Sequence, residues 1–244
     1  MKLKHVTSQP AGKEPEFRWR SGEITRIEGF SDAVFAFAIA LLVVSLEVPK
    51  TYGELWQAMV GFVGFAFCFA LLFFVWHNQY TYFRRYGLQD SYSVVLNGAL
   101  IFVVLFYVYP LKFLARVMFN QMILGTGTAE SALNDVQAHH LMSIYGFGFA
   151  AVSLIFVLLY SHAYTLRNEL QLNALELIDT RESIGGHSIM LGVSLLSAGI
   201  AFLPYRAAVT WSGLTYFSIA IFLTLQGTYM GRKRRRLWQQ QGRG

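Results

Sequence analysis

The chain has 244 residues, 55% of them hydrophobic and 14% charged, with a mean hydropathy of +0.41. A water-soluble domain carries about a quarter of its residues charged, so too little polar surface remains here for a globule in water, and lipid is the expected solvent. The net charge of +6 does not point to nucleic acid, because the basic residues flank the apolar runs, where they act as topology determinants.

Residues 1–22 are polar, contain Pro10, Gly12 and Pro15, and read as a mobile cytoplasmic tail. No short apolar core precedes a small-residue cleavage site, so no cleavable signal peptide is expected. Six apolar runs follow, at approximately 27–48, 55–80, 92–114, 141–164, 187–204 and 208–229. Each is near the ~20 residues that cross ~30 Å of hydrocarbon. Period-2 alternation is absent, which excludes a β-barrel reading. The fold class expected is therefore all-α, an integral membrane protein with six transmembrane helices.

The first run stops at Pro49, and the third holds Pro110 near its end. The connection at 115–138 is long, with a flexible break at Gly125-Thr126-Gly127-Thr128 and a helix start expected at Thr128 or Ser131. The connection at 165–186 carries Glu169, Glu176, Asp179, Arg181 and Glu182 among leucines. It reads as an extension of the fourth helix or as an amphipathic helix at the interface. Only residues 204–207 separate the fifth and sixth runs, which form a tight hairpin or a re-entrant pair; their length favours the hairpin. The division expected is a tail at 1–22, a single membrane domain at 23–231 and a basic tail at 232–244. The basic cluster Arg232–Arg236 is a topology anchor, or a ligand for anionic lipid.

With the N-terminus inside and six crossings, the outside segments hold only Lys50, Lys112, Arg116 and Arg206 of the 20 Lys and Arg residues. The positive-inside rule favours this orientation, with both termini cytoplasmic. An odd number of spans would put Arg232–Arg236 on the wrong side.

The first helix carries the unusual chemistry. Arg26, Glu28 and Asp32 enter the membrane at the start of an otherwise apolar run. A charge deep in a span costs about 3 kcal/mol, so such a group is paired or faces a water-filled cavity. Asp32 lies too far along the helix from Arg26 to pair with it, which places the partners on neighbouring helices or subunits. Phe37, Leu41 and Val44 share one face at i, i+4, i+7, while Ala33, Ala36, Ala38 and Ala40 allow close helix approach.

Arg26-x-x-x-Phe30-Ser31-Asp32, the following Ala-Val-Phe-Ala-Phe-Ala-Ile and the terminal Glu-Val-Pro resemble the first helix of the transmembrane protein 175 family. Trp76-His77-Asn78 in the second run, and Asn97 and Pro110 in the third, are similar to that family's pattern in the same order. The resemblance implies a potassium-permeable cation channel, not an enzyme, without cofactor or bound metal beyond the permeant potassium ion. It implies a homotetramer in lipid, in a bacterial cell (inner) membrane, whose first helices line a central pore. Carried over by position, Phe37, then Leu41, then Val44 form an apolar constriction, with Ser45 and Glu47 nearer the outer mouth. Arg26, Phe30, Ser31, Asp32, Trp76, His77 and Asn97 form a structural polar network holding the pore helix. Two positions depart from the family pattern: Ala40 stands where many bacterial members carry threonine, and Phe37 where isoleucine or leucine is usual. The first removes a ring of hydroxyls, and the second narrows an apolar gate that works by excluding water.

Other motifs weigh less. Tyr145-Gly-Phe-Gly148 lacks the threonine and valine of a carbonyl filter and reads as glycines at a packing seam. Cys68 is a small packing residue, and His139-His140 are a poor chelate because adjacent helical positions diverge. The rival reading is a proton-coupled secondary transporter or a proton-permeable leak pathway. A carrier would place polar groups at mid-depth, where only Asn97 stands.

Overall fold

Polar caps set where the long apolar segments turn helical. In the computed structural model, residues 17–43, 50–122, 134–205 and 207–241 are described. They form α1 (Arg26–Val43), α2 (Tyr52–Tyr86), α3 (Ser91–Met122), α4 (Asp135–Thr165), α5 (Ala174–Ala201), α6 (Ala207–Thr215) and α7 (Phe217–Gln241). Thr25 and Glu28 close the start of α1 reciprocally: the Thr25 amide donates to the Glu28 carboxylate at 2.8 Å, and the Glu28 amide donates to the Thr25 hydroxyl at 3.2 Å. The same box recurs at Asn134/Gln137 before α4 and at Asn173/Glu176 before α5. Gly87 ends α2 in the left-handed conformation (φ 63°), donating its amide to the Phe83 carbonyl. Asp90 accepts from the amides of Tyr92 and Ser93 at the head of α3 and pairs with His162 of α4 at 2.9 Å. Burial opposes ionisation of the Asp90 carboxyl, but its hydrogen bonds from Ser93 and the His162 imidazole outweigh this and hold its pKa below the usual value.

Several boundaries differ from the sequence expectation. Residues 17–22 are packed against the bundle rather than a free tail, with Phe17 buried. The charged segment 174–186 belongs to the fifth helix, not the fourth and not a separate interfacial helix, because Asn173 caps a helix that runs unbroken to Ala201. Helix α3 continues through Pro110 to Met122, eight residues past the expected end at 114. The hydroxyl of Tyr145 donates to the Pro110 carbonyl at 2.7 Å. The sixth run is split at Tyr216, where the amides of Tyr216 and Ile219 bond three residues back and the Thr215 and Ser218 hydroxyls take nearby carbonyls. Arg232–Arg236 continue α7 as helix rather than starting a separate tail. Thr128 and Ser131, the expected start of α4, lie outside the described residues.

Among the described residues, five stretches are long and apolar enough to cross a bilayer: 62–86, 91–114, 136–165, 174–201 and 207–240, the last spanning both α6 and α7. The described part of α1 carries Arg26, Glu28 and Asp32. Helix α1 packs on α2 and α3, α3 on α4, α4 most extensively on α5, and α5 on α6 and α7. Phe35, Ala38 and Leu42 of α1 meet Leu72 and Val75 of α2, Leu100 and Val104 of α3, and Phe156 and Leu159 of α4 in one core. Cys68 is buried there, donating to the Leu111 carbonyl.

The glycines of Tyr145-Gly-Phe-Gly148 lie on a packing seam. A Cβ at Gly146 would stand 2.8 Å from the Ala198 Cβ of α5, and one at Gly148 would fall inside the Tyr107 ring of α3. Gly148→Ala is therefore expected to lower stability by about 1–3 kcal/mol, as overpacking does. Thermal unfolding of the purified protein checks this, and trimming the ring with Tyr107→Leu should recover part of the loss.

Candidate functional site

Helix α1 is two-sided. Glu28, Ser31, Phe35, Ala38 and Leu42 turn inward, and all are buried. On the opposite side Arg26, Phe30, Ala33, Phe37 and Ala40 are exposed. The two sets follow the 3.6-residue period. Because α1 packs chiefly on α2 and α3, its outer face is left uncovered by the other described residues. Phe37 is 58% exposed, whereas Phe35, two residues earlier, is 2% exposed. Leu41 sits at the border of the two faces, packed in part against the core. Val44, Ser45 and Glu47 lie outside the described residues.

The polar residues on the inner face find partners on α2 and α3. Trp76 donates its indole N–H to Asp32 Oδ1 at 2.7 Å. Asn97 donates to the Ser31 hydroxyl at 2.8 Å and accepts from Gln79 at 3.2 Å. The Ser31 hydroxyl in turn donates to the Ile27 carbonyl one turn back at 2.8 Å. Ser31, Gln79 and Asn97 are all buried, so each bond counts at low dielectric. Four of the residues singled out in the sequence are thereby joined pairwise: Ser31 with Asn97, and Asp32 with Trp76. Arg26, Phe30 and His77 are exposed and stand apart from these bonds. His77 stacks on Phe73 at 6.3 Å and on Tyr80 at 6.4 Å.

Sequence reasoning missed two contributors. Gln79 extends the Ser31–Asn97 pair; its signal was a second amide beside Asn78, one turn past Trp76. Glu28, already singled out in the sequence, lies 3.9 Å from Arg84 Nε, which ties the base of α1 to the end of α2. The second missed contributor is the strap at 17–22. Arg18 reaches Glu176 through its amide (3.1 Å), Nε (3.0 Å) and Nη2 (2.8 Å), and Arg20 Nη2 meets the same carboxylate at 2.8 Å. Arg20 also donates to the carbonyls of Leu170 and Arg85, and its own amide bonds the Arg84 carbonyl at 3.0 Å. The alternation Phe17-Arg18-Trp19-Arg20 was the available signal. It places Phe17 edge-on to Tyr86 and Trp19 edge-on to Tyr80. Tyr80 stacks on Trp76, so aromatic contact runs from the strap to the residue that holds Asp32.

Asn97→Ala is expected to cost about 1–3 kcal/mol, because it strands the buried Gln79 amide and removes a donor from Ser31. Chemical or thermal unfolding in detergent measures it. Gln79→Leu combined with Asn97→Leu should be milder than Asn97→Ala, since no polar group is then left unpaired.

The described residues include no cluster of three or more His, Cys, Asp or Glu side chains arranged to hold a metal ion.

The chain is similar in sequence and fold to known proteins. Residues 26–107 match the family model described as endosomal/lysosomal potassium channel TMEM175. A potassium channel of Marivirga tractuosa is 40% identical over 248 residues, covering 97% of this chain and 100% of that protein. A potassium channel of Chamaesiphon minutus is 30% identical over 154 residues, or 59% of this chain and 67% of the relative. Among solved structures, a threonine-to-alanine variant of the potassium channel MtTMEM175, crystallised with a nanobody–MBP fusion, superposes with a TM-score of 0.79 at 38% identity, covering 91% of this chain and 99% of that one. The lysosomal potassium-selective channel TMEM175 homolog from Chamaesiphon minutus superposes with a TM-score of 0.54 at 27% identity, covering 84% and 98%.

Proposed function

From the premise that this chain belongs to the TMEM175 family and is an integral membrane protein, we propose that it is a potassium-permeable cation channel of the bacterial inner membrane. Four copies surround a central pore, and α1 from each lines it. The observation that carries this reading is the two-sidedness of α1. Its inner face is fastened by Ser31–Asn97 and Asp32–Trp76. Its outer face, with Phe37 at the centre, is covered by none of the other described residues. An apolar helix face that is left open while the opposite face is pinned by buried polar bonds suits a pore lining. It presents bulk to the axis without letting the helix rotate.

In this reading Phe37, Leu41 and Val44 form the apolar constriction, with Ser45 and Glu47 toward the outer mouth. Such a ring conducts when wet and closes when it dries. No hydroxyl at position 40 is available to ease dehydration of the ion, because the residue there is Ala40. Selectivity then comes from the size and stiffness of the apolar ring. Ser31, Asp32, Trp76 and Asn97 do not touch the ion; they hold the helix at its distance from the axis. With both termini on the cytoplasmic side, the end of the bundle that gathers Arg18, Arg20, Arg84, Arg85 and Arg234 faces the cytoplasm, as the positive-inside rule requires.

The test is flux through purified protein in liposomes under a potassium gradient, with sodium in parallel. Potassium efflux that outpaces sodium, with single-channel steps in planar bilayers, is the expected result. Saturable exchange without unitary steps would instead establish a carrier.

A further inference from the structure

At the basic end of the bundle a cavity of about 850 Å³ opens between the 17–22 strap, the last turns of α2, the first turns of α5 and the C-terminal part of α7. Its size is within the roughly 300–1,000 Å³ of small-molecule sites. Phe17, Trp19 and Tyr80 supply aromatic wall, while Arg84, Arg85 and Glu182 bring charge. The charges are unevenly used. Asp179 and Arg234, on the same wall, pair with each other at 3.2 Å. Arg84 donates Nη1 to the Ser21 carbonyl at 3.3 Å, and its buried Nε faces Glu28 at 3.9 Å, which leaves Nη2 without a hydrogen bond among the described residues. The Arg85 guanidinium lies 4.9 Å over the Phe17 ring and makes no hydrogen bond among the described residues, and neither does the Glu182 carboxylate.

The Arg85 guanidinium, the remaining Arg84 nitrogen and one carboxylate with free acceptors thus share an aromatic-walled space. A simple anion would engage the guanidinium groups but be repelled by Glu182, and a simple cation would meet the reverse. A molecule carrying both a phosphate and an ammonium satisfies all three, the phosphate through charge-assisted bonds and the ammonium through the carboxylate and the ring faces. The cavity lies where the 62–86 span ends, beside Trp19 and Tyr80. Amphipathic rings of this kind settle at headgroup level. We propose that the cavity binds the headgroup of a zwitterionic aminophospholipid, its phosphate against Arg84 and Arg85 and its ammonium against Glu182. The bound lipid bridges the strap, α2 and α5, the elements that hold the base of α1.

The experiment is a melting-temperature titration of the delipidated protein in detergent with short-chain phosphatidylethanolamine, phosphatidylglycerol or soluble phosphoethanolamine. Phosphatidylethanolamine should raise the melting temperature by several degrees, as a ligand of the folded state does, and phosphatidylglycerol by clearly less. Arg85→Gln should remove most of the rise with either lipid. Glu182→Gln, which keeps the side-chain shape, should shrink the phosphatidylethanolamine shift and enlarge that of phosphatidylglycerol. Equal shifts from both lipids in the wild type, with no change in Glu182→Gln, would overturn the zwitterion assignment. No shift with either lipid would overturn the site. Soluble phosphoethanolamine matching the lipid would identify a free phosphate ester as the ligand and overturn the lipid assignment. The readout needs no ion flux, so its failure is separable from failure of the channel reading.

Discussion

Phe37→Ala is expected to raise potassium flux through reconstituted protein several-fold and to weaken its discrimination against sodium. The side chain is 58% exposed and lies on the face of α1 that no other described helix covers. Its removal therefore leaves the packing of the single chain nearly intact. In the proposed pore the same change would take one ring from each copy out of the constriction. The apolar constriction widens and wets more readily, and an element that gates by excluding water loses its grip. Phe37→Asn should act in the same direction with less loss of bulk, since it adds polar lining. The decisive control is Phe35→Ala, two residues away. Phe35 is 2% exposed and sits in the core with Ala38 and Leu42. Its truncation should cost about 3–5 kcal/mol through the cavity it leaves, and lower the yield of folded protein rather than open the pore. If Phe37→Ala and wild type carry identical flux while both fold, Phe37 is not the constriction.

The second large effect is expected at Glu176. Its side chain is 2% exposed, receives both Arg18 and Arg20, and accepts the Asn173 amide at 3.0 Å as part of the α5 capping box. Arg18 is 53% exposed at the side chain, so its ion pair is screened by water and adds little by itself. Arg20 is different: at 18% side-chain exposure it would be left with a half-buried charge and no carboxylate. Breaking such a pair from one side costs on the order of 3 kcal/mol. Glu176→Ala should lose that together with the cap; Glu176→Gln keeps the cap's acceptor and should lose less. Two readouts check it: the melting temperature, and the rate at which trypsin cleaves after Arg18 and Arg20. Both sites should become fast in Glu176→Ala, because the strap is held at its far side chiefly by this carboxylate. A melting temperature and cleavage rate equal to wild type would mean that the strap is fastened by its bonds to backbone carbonyls, such as those of Arg84 and Leu170, and not by the carboxylate.

The strap also gives α1 a mechanical neighbour. It leads through residues 22–25 directly into α1, and its aromatic ring Trp19 touches Tyr80, which stacks on Trp76. Trp76 holds Asp32. Position at the basic end of α2 and α5 is thereby transmitted to the base of α1 through contacts of side chains, each of which can be removed singly.

Much of this protein is legible residue by residue. Lipid as solvent, the all-helical class and the even number of crossings follow from apolar run length and from where Lys and Arg fall, because partition into hydrocarbon is a local property summed along a segment. The special status of α1 is also local: Arg26, Glu28 and Asp32 stand out against an apolar run, and the Phe30-Ser31-Asp32 motif is contiguous. Hydropathy could not identify partners. That Asp32 meets an indole N–H, that Asn97 needs Gln79, and that Glu176 gathers Arg18 and Arg20 across more than 150 residues of chain depend on the register of helices against one another. The start of α5 at Ala174 was hidden for a related reason. Its first turns are charged, and the capping box at Asn173 with the buried pairing of Glu176 makes them helical where apolar content alone would not. The break at Tyr216 likewise comes from hydroxyls of Thr215 and Ser218 bonding nearby carbonyls, inside a run that composition reads as continuous. Periodicity could place Phe37 and Leu41 on one stripe, but only packing against α2 and α3 decided which side of that stripe is left open, because a helix in lipid shows no preferred face until its neighbours take one.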